Sequence, residues 1–344
     1  MKFKKTLKAL SAIIVLLALL ATEAFGGQGV FGKRLFQKRR HINENNTTFN
    51  VNDPQKDLDI LINGVKKIAS PGTPGYLSVF GSDALILAYG MAGENLPQPG
   101  VAAGRFGKGK MVAFGHAAFL ANIQINNEFD TARLITNSIH WLSSSGSTSR
   151  VLHLGNDDGE KALNHLGFHV EKADLENLDP ARVLVVQEGY LHPKYSEKVS
   201  LFVKNGGGFM TSTTGWGWLQ FNPGKDLRKD HGANLVLEKG GIVFGNGYLS
   251  PVVGLGLSSN AELMPKNHVK KALEIVDSVV KGKKEFQNEL EAKLICDTLQ
   301  IAANNIPSGN QAFDPIIKEI LKNSPEAFFE KHPDFRVLKA KLLK

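Results

Sequence analysis

The sequence predicts an α/β fold, with a mostly parallel sheet sandwiched by helices and a C-terminal helical extension. Three observations predict it. Short apolar runs bounded by glycines alternate with amphipathic stretches between Leu58 and Leu249. Val183 to Val186 form an unbroken apolar run, as a central parallel strand covered on both faces requires. From Pro265 onward the pattern is mostly helical.

The elements follow in order. Leu58, Leu61, Ile62, Val65 and Ile68 keep helical spacing, so a helix is expected there, ended by Pro71 and Pro74. YLSVFG and ALILAYG read as buried strands. Gly107-Lys108-Gly109 lies between two strand-like runs and reads as a hairpin turn. A helix is expected over 127–143, with Phe129, Ala132, Leu134, Ile135, Ile139 and Leu142 as its apolar face. VLHLG is a strand, DDGEKALNHLG a helix with Asp157 or Asp158 as N-cap and Gly167 as stop. FHVEKAD and ARVLVVQEG are strands. Pro193 to Asn205 form a helix that ends in Gly206-Gly207-Gly208. Phe209 to Thr213 form a short buried strand, and the chain then turns at a Gly/Trp cluster. GIVFGNGYL at 241–249 is a late strand.

The first 26 residues hold Lys2, Lys4, Lys5 and Lys8, an apolar run from Ala9 to Ala21, and small residues at Ala24 and Gly26. This is the layout of a secretory signal peptide; an uncleaved membrane anchor is the alternative, although the run is shorter than the ~20 residues of a span. Residues 27–56 read as a flexible leader, 57–264 as the α/β domain and 265–344 as the helical extension. The four lysines and one glutamate of the signal region supply three of the chain's +8 net charges. The remaining basic residues are spread out, apart from Lys33 to Arg40 and the tail from Arg336. No basic stripe or motif points to nucleic acid. Lys38-Arg39-Arg40 reads as solvated charge, a processing site or an anionic-surface contact. Asn45 and Asn46 begin overlapping glycosylation sequons. Cys296 is the one cysteine, so no internal disulfide forms; its apolar helical setting reads as a buried thiol.

The chemistry-bearing residues are sparse. None of the ten histidines is followed by Glu, which excludes H-E-x-x-H. A single cysteine cannot build a structural zinc site of paired cysteines, Gly-x-Ser-x-Gly is absent, and the run Gly104 to Lys110 lacks the ending of a phosphate loop. No metal, cofactor or catalytic residue is expected. In α/β sheets ligands sit at the carboxyl ends of strands. There the sequence places His116, Glu188, Tyr190, Ser212, Thr213, Trp216 and Trp218. His116 reads as a base, a ligand contact or a loop cap. Asp157 and Asp158 read as a cation contact or as capping residues. Trp216 and Trp218, two apart on a loop taken as extended, read as a platform for sugars or proteins, or as a plug for the sheet end.

Three segments together look like one family: LINGVKKIASPGTPGYLSVFGSDA (61–84), GRFGKGKMVAFGHAAFL (104–120) and KVSLFVKNGGGFMTSTTGWGW (198–218). They resemble the amino-terminal region of the channel-associated factors of vertebrates, the TCAF family, whose members continue into an enhancin-like metallopeptidase region. The resemblance covers about residues 57–250. It implies a class I glutamine amidotransferase-like, or flavodoxin-like, fold. Amidotransferases carry a cysteine on the turn where this chain has Ser212 to Gly215, so the resemblance does not imply glutaminase activity. The vertebrate relatives work inside the cell beside an ion channel, whereas this chain opens with an export signal.

The expected function is therefore a secreted, non-catalytic amidotransferase-like domain, a pseudoenzyme that binds a protein or glycan partner through the seven strand-end residues. One alternative is a hydrolase using a hydroxyl at 212–214 with His116 or His192 as base. Another is an accessory or regulatory subunit of a membrane or peptidase complex. Membrane contact is expected only through an uncleaved signal segment.

Overall fold

The computed structural model describes residues 53–93, 96–121, 128–143, 150–252, 256–259 and 267–343. The expected signal peptide, the leader as far as residue 52, its sequons and the Lys33–Arg40 cluster lie outside the described residues; residues 53–56, read as leader, instead start the first helix, with Asp53 as its N-cap.

The main sheet has nine strands. In chain order they are β1 (Lys67–Ala69), β3 (Leu85–Ala92), β4 (Leu96–Phe106), β5 (Gly109–Phe114), β6 (Arg150–Leu154), β7 (His169–Lys172), β8 (Val183–Gln187), β9 (Gly208–Ser212) and β11 (Gly256–Ser258). Two further strands, β2 (Gly75–Val79) and β10 (Ile242–Tyr248), form a separate antiparallel ribbon. The order across the main sheet is β1-β11-β3-β4-β5-β9-β8-β6-β7. From β5 to β7 every pairing is parallel; from β1 to β5 every pairing is antiparallel.

The expected mostly parallel sheet is thus a mixed one. The reason is local. Gly107 (φ +61°) and Lys108 close a two-residue hairpin, with Phe106 opposite Gly109, and a hairpin forces antiparallel neighbours. Pro97 and Pro99 sit in the part of β4 that pairs only with β3, where a missing N–H costs no ladder bond.

The expected helix over 58–68 is cut short. Helix α1 spans Pro54–Leu61. Asn63-Gly64 breaks it, with Gly64 at φ +69°, and Lys67–Ala69 is already strand β1. Helix α2 (Thr131–Leu142) seals that sheet edge with its N-terminus. Asp130 Oδ2 accepts the Lys66 and Lys67 N–H groups at 2.9 and 3.3 Å, and Thr131 Oγ1 accepts that of Ala69 at 2.9 Å. A capped edge cannot recruit another strand.

Helix α3 (Asp157–His165) is capped by Asn156, whose Oδ1 accepts the Gly159 N–H at 2.9 Å. Asp157 and Asp158 are first-turn residues instead of the cap, favourably placed against the helix dipole. Gly167 ends the segment at φ +90°. Helix α4 spans Ser196–Lys204. The turn after β9 is itself helical: α5 spans Gly215–Phe221, followed by α6 (Leu227–Asp230) and α7 (Gly232–Leu237). The extension holds α8 (Val269–Val280), α9 (Glu289–Asn305), α10 (Asp314–Asn323), α11 (Glu326–Lys331) and α12 (Pro333–Leu342).

Strand alternation distributes the apolar residues over three cores. Val183 and Val185 of β8 join Leu134, Ile135 and Ile139 of α2 on one face. Leu184 and Val186 join Val199 and Phe202 of α4, Val236 of α7, and Leu77, Val79, Ile242 and Phe244 of the ribbon on the other. The ribbon's opposite face supplies Phe80 and Val243 to the third core, made with α8 to α12. There Asn305 donates to the Ser78 Oγ at 3.1 Å. Cys296 is fully buried in this third core, and burial pushes its thiol up to about 12.

Candidate functional site

The carboxyl ends of β5, β9, β8 and β6 form one edge, where the parallel half of the sheet places its loops. At β5 and β9 this edge is closed by backbone. The Gly75 N–H donates to Gly115 O at 2.7 Å, and the Gly115 N–H to Gly100 O at 2.9 Å. A Cβ on Gly115 would lie 2.0 Å from the Gly75 carbonyl oxygen, and one on Gly215 2.4 Å from that of Gly245. Only glycines permit chains to approach so closely. The loop containing Pro71 and Pro74 lies over this junction. Its Thr73 carbonyl accepts the Trp216 indole N–H at 3.2 Å, and its Pro74 carbonyl accepts the Leu249 N–H at 2.7 Å.

Ser212 and Thr213 are beneath this seal, 0% and 2% exposed. The Ser212 hydroxyl has no hydrogen-bond partner among the described residues. A nucleophile on a strand-to-helix turn sits at a strained backbone position. Here Thr214, at φ −106° and ψ 107°, is ordinary extended chain. Among the described residues the one non-glycine with positive φ is Glu188, at +49°, a conformation costing of order 1–3 kcal/mol.

His116 is a cap. Its Nδ1 accepts the Ala118 N–H at 3.0 Å, so its single lone pair is spent and Nε2 carries the proton. Burial lowers its pKa to about 4. A ring in this state cannot take a proton from a hydroxyl. His192 does the same for Lys194 at 3.2 Å.

Trp216 and Trp218 do not point the same way. Two residues on a helix are about 200° apart. Trp216 turns toward Thr73, while Trp218 meets the edge of His231, ring centroids 5.0 Å apart. A Cβ on Gly189 would touch Trp218 at 2.8 Å, so the Glu188-Gly189-Tyr190 loop lies alongside this indole. The structure thus runs the loop carrying exposed Glu188 and Tyr190 past the half-buried Trp218. Tyr190 is 48% exposed.

Three features escaped the sequence reading. Phe221, at the end of α5, is 87% exposed, and Tyr248 of β10 is 60% exposed; neither stands in a motif. Gln187 fills the switch point between β6 and β8, its Oε1 2.9 Å from His153 Nε2 and 3.2 Å from the Asn156 N–H. The glycines at 155 and 159, which make room for it, were the available signal. His231 is 1% exposed, accepts the Asn234 N–H at 3.2 Å, and packs against Trp218 and Phe244.

Burial lowers the pKa of His231 and of His268 to about 4. Both are neutral when folded, whereas the unfolded rings titrate near 6.5. The unfolded chain therefore binds more protons below pH 6.5. Stability is full above that value and falls as the pH drops toward 4, by up to about 3 kcal/mol for each ring. Urea midpoints at pH 7, 6 and 5 should decline progressively. A flat profile would contradict this assignment.

Among the described residues no three His, Cys, Asp or Glu side chains converge as a metal site. The edge is a closed strand end with an aromatic exterior.

The comparisons give this architecture a family. The model described as "TRPM8, N-terminal domain" (TCAF_N) matches residues 28–253. The chain belongs to this TCAF_N family, and the resemblance read from its three segments is borne out. TRPM8 channel-associated factor 3 of Rattus norvegicus is 27% identical over 232 residues, covering 65% of this chain and 23% of that protein. A TRPM8 channel-associated factor homolog of Danio rerio is 24% identical over 192 residues, covering 55% of this chain and 20% of that protein. The chain thus spans less than a quarter of the length of these relatives. Among solved structures, an IMPa metallopeptidase in complex with T-antigen is similar, with a TM-score of 0.49 and 14% identity, over 78% of this chain and 34% of that one.

Proposed function

We propose that this chain is a non-catalytic, amidotransferase-like module that binds a protein partner through the aromatic exterior of its strand-end edge. The observation that carries the reading is the exposure of Phe221, Tyr248 and Tyr190 outside an edge that is closed within. These three exposed aromatics stand on elements that leave this edge, and aromatic anchors dominate protein contacts. The strand–turn–helix order of β9 and α5 supports the amidotransferase-like part of the reading. The buried hydroxyls and the spent lone pair of His116 argue against a hydrolase. The related channel-associated factors are named for association with a channel protein, which favours a protein partner over a glycan.

A photo-crosslinking residue at Phe221, compared with one at Leu201, tests this. Leu201 is 48% exposed on α4. In the protein's native setting, position 221 should yield a discrete protein adduct and position 201 none. Equal adducts at both positions, or none at either, would overturn the reading. Retention on a glycan array that is lost in W216A and W218A would replace the protein partner with a glycan.

A further inference from the structure

The aromatic face around Trp218 has a specific charge. Tyr190 follows the Gly189 that lies against the indole, Phe221 lies three residues beyond Trp218 on α5, and both are exposed. Beside it stands the start of α3, tied in by the Gln187 contact with the Asn156 N–H. Asp157 and Asp158 follow Asn156 directly and Glu188 follows Gln187, so three exposed carboxylates flank that contact in sequence. None of the three is ion-paired among the described residues. The neighbouring cations are mostly engaged. Arg228 pairs with Asp226 at 2.6 Å, Lys225 with Asp230 at 3.8 Å, and Lys194 lies over the Tyr195 ring at 4.7 Å. Lys161 on α3 and Lys229 on α6 are exceptions. In a chain of net charge +8, this edge combines free carboxylates with exposed aromatic faces.

Resting on the reading above, we infer that the partner presents an arginine-rich segment to this face. A guanidinium stacks on Tyr, Trp or Phe and pairs bidentately with a carboxylate. A lysine ammonium is a compact, strongly hydrated point charge that makes only a monodentate pair.

The test uses the full chain and fluorescein-labelled peptides of nine arginines, nine lysines or nine glutamates, followed by anisotropy at low and high salt. The arginine peptide should bind tightest, the glutamate peptide not at all, and binding should weaken with salt. The triple variant E188Q/D157N/D158N and the double variant Y190S/F221S should each weaken arginine-peptide binding about tenfold or more, as loss of charge pairs and stacking predicts. These are surface positions, so the variants should stay folded; the loss of two first-turn carboxylates from α3 lowers the melting temperature only slightly. Unchanged arginine-peptide affinity in both variants, or no binding by wild type, would overturn the inference. The adduct from position 221 separates the two readings. An adduct that survives in E188Q/D157N/D158N would leave the protein-binding edge standing and reject the charge assignment. If the adduct fails to form at all, the edge reading itself falls.

Discussion

Replacing Gly115 by alanine should be among the most damaging single changes in this chain. The added methyl would lie 2.0 Å from the Gly75 carbonyl oxygen and 3.1 Å from that of Gly100. Both obstacles are backbone, so no side chain can swing away. The clash would break the Gly75–Gly115 and Gly115–Gly100 hydrogen bonds that close the edge. Overpacking a tight interior costs about 1–3 kcal/mol, occasionally more, and the upper end is expected here, at about 3 kcal/mol. The urea midpoint should fall accordingly. The exposed G224A, at φ +82° with open space around it, is the comparison. It bears backbone strain alone and should cost about 1 kcal/mol. Equal losses in the two variants would mean that the edge is not sealed by contact.

The second large effect is expected at Asp57, on the opposite side of the sheet's helix layer. Its carboxylate accepts from Arg105 Nε at 2.7 Å, Arg105 Nη2 at 2.8 Å and the Trp141 indole N–H at 2.8 Å. Lys110 completes the group by donating to Trp141 O at 2.7 Å. Burial, then the Arg105 charge, lowers the Lys110 pKa, and Asp57 opposes that shift. The D57A change would leave the Arg105 guanidinium and the Trp141 indole N–H without their shared acceptor. Removing one partner of a buried ion pair costs about 3–5 kcal/mol. Adding R105M should recover part of that loss, because it removes the stranded charge. Urea unfolding of both single variants and the double variant closes the cycle. Strictly additive losses would show that the pair does not act as a unit.

The sequence showed the elements better than their arrangement. The apolar run of β8, the Gly107-Lys108 hairpin and the glycine stop at Gly167 were legible because each depends on local chemistry. The helix expected across 58–68 failed because Val65 and Ile68 satisfy a helical period by coincidence, while Asn63-Gly64 breaks it. The antiparallel half of the sheet was less evident, since pairing direction depends on partners distant in sequence. At the edge, Glu188, Tyr190 and Trp218 were identified from strand-end position alone. The direction of the two tryptophans was misread because the turn is helical. The seal itself, glycine backbone against glycine backbone from five separate segments, leaves no motif. Phe221 was missed because exposure is a property of the folded surface.

Cysteine accessibility measures the closed edge most directly. The native thiol of Cys296 is buried and protonated up to about pH 12, so it gives a silent background. Maleimide labelling of S212C in the folded protein should proceed only as fast as the chain opens, while F221C should label at the rate of a free surface thiol. Labelling of S212C as rapid as that of F221C would show an open strand end and contradict the account.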